Sequence, residues 1–168
     1  MKQLLAKPYI PLVDERDEHM ALEKLKPVLA ARFDDEHVYM AGTRLSTLQQ
    51  IIIWTKAGSP TDTFWVHGTA GTGKSTIANT TCEQSEKSGD LAGSFFCERD
   101  IPEQRDPRRI LPSLSFTLAT MVEPHCEQLL QVAEKEPDIT IRPVTFQLTA
   151  LFIDPFSALQ EQIGRAHV

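Results

Sequence analysis

The sequence predicts an α/β fold, a partial parallel sheet with flanking helices and a helical N-terminal lead-in. Three observations carry that expectation. Thr63–His67 is a β-branched and aromatic run of strand length, set after the turn-rich Ser59-Pro60-Thr61-Asp62. A glycine-rich loop, Gly68 to Ser75, follows it directly and leads into a helical pattern. Ala92–Cys97 then reads as a second strand, so that strand, loop, helix and strand follow in the order of a right-handed crossover unit.

The other elements follow in chain order. From Val13 to Leu29, Met20, Leu22, Leu25 and Val28 recur at helical spacing among charges until Pro27 breaks the pattern, and residues 1–40 are taken as a solvated helical lead-in. In Gly42-Thr43-Arg44, Thr43 can cap a helix whose stripe is Leu45, Leu48, Ile51 and Ile52 and whose end is Gly58 with Pro60. Lys74 to Ser88 should bury Ile77, Ala78, Thr81 and Cys82, with Gly89 as its stop. Asp106 and Pro107 look like a cap and first residue for Ile110, Leu111, Leu114, Leu118, Met121 and Val122, with Pro112 kinking that helix or delaying its start. Pro124 opens a helix to about Glu136, and a last one runs from Thr145 to Ile153, ending before Asp154-Pro155.

Composition narrows the function classes. With 168 residues, 41% hydrophobic and 24% charged, the chain suits a single soluble domain with a buried core. A net charge of −6 supplies no global field for nucleic acid or acidic lipid. No apolar run approaches the ~20 residues of a membrane span, and Lys7 and Pro8 interrupt the opening MKQLLA before it could form a signal-peptide core. Cys82, Cys97 and Cys126 are odd in number and lack metal-ligand spacing, so they read as small core residues of a reducing compartment, and a cytoplasmic location is expected.

The chemistry lies in GTAGTGKS. It matches the phosphate-binding pattern G-x-x-x-x-G-K-[ST], which chance places in about one chain in two hundred of this length. Gly68, Gly71 and Gly73 lack a Cβ, so phosphate oxygens can approach the backbone N–H groups of Gly68, Thr69, Ala70, Gly71, Thr72 and Gly73. Lys74 is expected to reach the β- and γ-phosphates, Ser75 to offer its hydroxyl to Mg²⁺, and Thr76 to donate near the α-phosphate. The expected ligands are therefore ATP or GTP with Mg²⁺. The plain alternative is a glycine-rich turn with Lys74 merely exposed.

With Gly42-Thr43-Arg44-Leu45, FWVHGTAGTGKSTIA, GSFFCERD and DPRRILPSLSFTLA, the chain resembles the NACHT domains of fungal-type STAND signalling NTPases, also labelled nephrocystin-like N-terminal domains. The resemblance covers about Leu25 to Ala158. It implies a P-loop NTPase fold over residues 41–162, truncated after its first two strands, in a parent that hydrolyses nucleotide slowly and oligomerises on activation. It also places Gly42 and Arg44 near the adenine. The family's Walker B carboxylates, arginine sensor and winged-helix region have no match here, so the chain is expected to bind nucleotide without efficient turnover.

Other candidates are weighed and set aside. Leu151-Phe152-Ile153-Asp154 ends in an acid as a Walker B strand does, but Pro155 follows instead of a second acid, which favours a helix terminus. Arg99, Arg105, Arg108 and Arg109 are balanced by Glu98, Asp100, Glu103 and Asp106, which points to an ion-paired surface and not to nucleic acid. His67 reads as a strand-end residue and not as a base. Residues 163–168 read as a translated adapter sequence, with the native chain expected to continue past Gln162. Two rival functions are a small-molecule P-loop kinase, which would need arginines after Arg109 where only Arg142 and Arg165 occur, and a non-catalytic interaction module retaining the loop. A sheet without its central strands should leave Phe64, Val66, Phe95 and Phe96 short of partners and the chain marginally stable.

Overall fold

The computed structural model of the chain describes residues 22–23, 25, 27–33, 45–57 and 63–166, with side chains up to Glu161. The chain divides into two compact units, Phe33–Leu91 and the combination of Met1–Arg32 with Ala92–Val168.

The Phe33–Leu91 unit is built on α1, Leu45–Ala57, and α2, Lys74–Ser88. Leu48 and Ile51, three residues apart on α1, meet Ile77 of α2 in a small apolar cluster. Phe64 and Val66 pack against it while Thr63, Trp65 and His67 are exposed, which is the two-residue alternation of an extended chain. The Trp54 and Phe64 rings meet with centroids 5.7 Å apart. Gly89 ends α2 in the left-handed conformation (φ 75°), donating its N–H to the Glu86 and Ser85 carbonyls.

The other unit contains α3, Pro102–Arg105; α4, Ile110–Ala119; α5, Glu123–Lys135; α6, Val144–Leu148; and α7, Asp154–Ala166. Its core joins Leu22 and Leu25 to Phe116, Ala119, Cys126, Leu129, Ala133, Ile139 and Leu151. On α5 the stripe Cys126, Leu129, Ala133 follows helical spacing. Three hydrogen bonds tie the Val28–Ala31 stretch to distant residues: Val28 N–H to Ser113 Oγ at 2.9 Å, Phe96 N–H to Ala31 O at 2.7 Å, and Gln104 Nε2 to Ala30 O at 3.2 Å.

The expected α/β sheet is not formed. The described residues contain helices and irregular segments and no strand, which overturns the P-loop NTPase fold with a partial parallel sheet. Thr63–His67 alternates as an extended chain does, but a strand exists only by pairing, and neither it nor Ala92–Cys97 pairs as one. The two runs belong to different units, and the Phe96 N–H of the second bonds Ala31 O, in a 3₁₀ turn and not in a strand. Phe64, Val66, Phe95 and Phe96 are half-buried rather than bare, and helices α1 and α2 cover Phe64 and Val66 in place of neighbouring strands.

Two smaller expectations also change. The buried positions of α2 are Ile77, Asn79 and Thr80, whereas Ala78 is exposed. The last helix does not stop at Ile153. Thr149–Ile153 forms a π-helical turn that carries the chain through Asp154-Pro155 into α7. Proline has no N–H to give to the carbonyl four residues back, here Leu151 O, and that oxygen receives a 3.4 Å hydrogen bond from Ser115 Oγ. Widening the turn and supplying an outside donor lets the helix cross a proline that would otherwise end it. Thr43, Gly58 and Pro60, and most of the lead-in, lie outside the described residues.

Candidate phosphate-binding loop

The residues from Gly68 to Thr76 join the extended run to α2, a 15-residue helix. Gly71 and Gly73 have φ of 76° and 79°, the left-handed region in which a side chain is strained, so the glycines at these positions fix the turn. At Gly68 a Cβ would come within 3.1 Å of Thr72 Oγ1. The Thr69 carbonyl organises the loop from within. It accepts from Thr72 Oγ1 at 2.8 Å and from Lys74 Nζ at 2.7 Å, which draws the lysine back over the turn.

The electrostatics at this end of α2 favour an anion. The first-turn N–H groups of a helix have no intrahelical acceptor, no side chain caps this helix at Gly73, and its first turn holds no acid. Gly68, Thr69, Ala70, Gly71 and Ser75 are exposed, and Thr72, Gly73, Lys74 and Thr76 are half-buried. The Lys74 ammonium has three protons and the Thr69 carbonyl occupies one, so donors remain for a ligand. All nine expected site residues thus lie on one continuous turn.

Other sequence candidates fall elsewhere. Gly42 and Arg44 lie outside the described residues. His67 is exposed at the end of the extended run. Asp154 is exposed at the start of α7 and has no second acid beside it. Asp106 and Arg108 form a two-pronged pair, Nε to Oδ1 at 3.0 Å and Nη2 to Oδ2 at 2.9 Å, and the Asp106 carboxylate also accepts the Arg108 N–H. These bonds hold the Asp106 carboxyl below its usual range. Among the described residues no group of three His, Cys, Asp or Glu side chains could hold a metal, and no helix is long and apolar enough to cross a membrane. Of the cysteines, Cys126 is buried, Cys82 is half-buried with its thiol pushed up by burial and then by Glu86, and Cys97 is exposed, so only part of the core reading stands.

Two features were not read from the sequence. A cleft of about 710 Å³ between α1 and the later part of α2 is lined by Ile51, Trp54, Lys56, Thr81, Gln84 and Asp90 among others, and by no loop residue. Thr81 lies seven residues along α2 from Lys74, roughly 10 Å at the helical rise. A buried contact between Ser115 and His125 joins α4 to α5 at 3.1 Å, and a ten-residue separation with no shared motif gives it no sequence signal.

The family model described as "Nephrocystin 3, N-terminal" matches residues 41–165, which include the glycine-rich loop and most of both units. No curated protein and no solved structure matches the chain. With well over half of its length matched, the chain belongs to the nephrocystin 3 N-terminal family.

Proposed function

We propose that this chain is the nucleoside-triphosphate-binding element of a NACHT-type signalling NTPase, taking ATP or GTP with Mg²⁺ at Gly68–Thr76. The observation that carries the reading is the loop's positive-φ glycines leading straight into an α2 terminus without a side-chain cap or an acid. Such a terminus presents backbone donors and a partial positive charge to phosphate oxygens. Lys74 supplies a full charge for the β- and γ-phosphates while its Thr69 bond keeps the stem in place.

The residues fit the metal only through the nucleotide. Ser75, with an exposed hydroxyl, can give one ligand, and no carboxylate cluster among the described residues adds more. Bound there, Mg²⁺ would neutralise phosphate charge. The chain's own contribution is binding and orientation: glycines that admit the phosphates, a lysine that fixes them, and a serine whose hydroxyl would hold the metal. These groups favour retention over turnover. The test is thermal unfolding with ATP, GTP or neither, each with and without Mg²⁺. Saturating ligand should raise the midpoint by a few degrees, and Mg²⁺ alone should do nothing. An unchanged midpoint with every nucleotide would remove the reading.

A further inference from the structure

Outside the loop, the most unusual chemistry is the fully buried pair of Ser115 and His125. Serine and histidine at 3.1 Å are the components of a nucleophile and base, but both side chains are wholly enclosed and no substrate reaches them. Their hydrogen bonds lead instead to a structural role. The Ser115 hydroxyl gives its proton to Leu151 O, so its lone pair is left to accept from His125 Nε2–H. The neutral tautomer that completes this relay carries its proton on Nε2. The other ring nitrogen, Nδ1, is buried and has no partner.

The carbonyl at the end of this chain is the one that Pro155 cannot serve. Leu151 lies inside the π-helical turn, and its bond to Ser115 attaches the turn to α4. The imidazole also lies against the rings of Phe156, stacked at 5.3 Å, and Phe152, at 6.2 Å. One histidine on α5 therefore fastens the π-turn and the start of α7 through both a polar relay and an aromatic face.

Among the described residues that surround it, a proton on Nδ1 finds no buried carboxylate. Neither α4 nor the π-turn contains a titratable residue. On α7, Asp154 and Glu161 are exposed; on α5 itself, Glu123 and Glu127 are exposed and Cys126 is a buried thiol; near Leu22, Glu23 is exposed. Burial alone pushes the His125 imidazole below its ordinary range. A proton on Nδ1 would be a buried donor with no acceptor, a cost that opening the contact to water relieves.

We propose that Ser115, His125 and the Leu151 carbonyl form an acid-sensitive latch that holds the π-turn and α7 on α4 and α5 while His125 is neutral and releases them when it takes a proton. The sign follows from the depressed folded value. Above the ordinary histidine pKa of about 6.5 neither the folded nor the unfolded state is charged, and the latch is closed. Below it the unfolded state binds the proton first, and the folding constant drops by up to about tenfold per pH unit until the folded value is reached.

The test uses the full 168-residue chain. Urea unfolding at pH 7.5, 6.5 and 5.5 is compared with His125→Gln, which can donate to Ser115 and cannot titrate. From pH 6.5 to 5.5 the ratio of the two folding constants should move by several-fold toward the variant; a ratio flat in pH overturns the latch. If the variant does not fold, hydrogen exchange on the unaltered chain decides. After correction for intrinsic rates, amides of Thr149–Ile153 and α7 should lose protection at pH 5.5 before those around Leu129, and uniform loss or none overturns it equally.

Discussion

Gly71→Ala separates the cost of the loop's shape from the cost of filling its space. Gly71 sits at φ 76°, where an L-residue is disfavoured by about 1–2 kcal/mol. A Cβ built there meets nothing within 4 Å, so no clash adds to the conformational cost. Alanine also restricts the unfolded chain, which returns about 0.4–1 kcal/mol. The net loss of stability in the Phe33–Leu91 unit should therefore be no more than about 1.6 kcal/mol. Nucleotide affinity compares two states of the folded protein, so the unfolded-state offset does not enter. If the alanine loop relaxes out of the left-handed region, the ligand must drive it back, and affinity should fall by the full 1–2 kcal/mol, about 5–30-fold. Urea unfolding gives the first number and titration with a fluorescent nucleotide gives the second. Affinity unchanged within twofold would refute the claim that phosphate binding uses the positive-φ turn.

Two further predictions concern the rest of the molecule. Leu129→Ala, at a fully buried position of α5, should cost about 2–5 kcal/mol in urea unfolding without touching the loop, so residual nucleotide binding in the folded fraction should be unchanged. Asp106→Asn should cost about 0.5–1 kcal/mol at neutral pH by weakening the cap and the Arg108 pair, whose members are partly exposed. Because the Asp106 carboxyl is held low by Arg108, its contribution is complete above the ordinary aspartate pKa near 3.9 and is lost as pH falls through the lower folded value. Unfolding of both chains from pH 6 to 2 checks this, with the gap expected to close at the acid end.

The sequence carried the local elements better than their assembly. Lys74 and Gly89 bound α2 as expected because its end signal is local: a glycine in the left-handed conformation closes the helix whatever lies around it. The shape of the turn was legible for the same reason, since its glycines lie within a few positions of one another. The sheet was not. Thr63–His67 has strand composition and takes the extended, alternating conformation, but composition cannot say whether another strand lies alongside, and here helices cover its inward residues. The crossing of Asp154-Pro155 was equally hidden. Proline predicts a helix end from its missing N–H, and what rescues it is a serine hydroxyl 36 positions away in sequence from Leu151. His125 shows the same limit. Nothing next to it in the chain announces that Ser115, Phe152 and Phe156 will enclose it.

The central claim, that Gly68–Thr76 holds the phosphates of a nucleotide, is tested most directly by equilibrium retention of a labelled nucleoside triphosphate with Mg²⁺. The unaltered chain is compared with Lys74→Ala. The lysine's charge and its bond to Thr69 both disappear in the variant, while the glycines and the start of α2 remain. Loss of a charge-assisted contact worth about 1.5–3 kcal/mol predicts retention weaker by about 10–150-fold. Equal retention by the two chains would contradict the account.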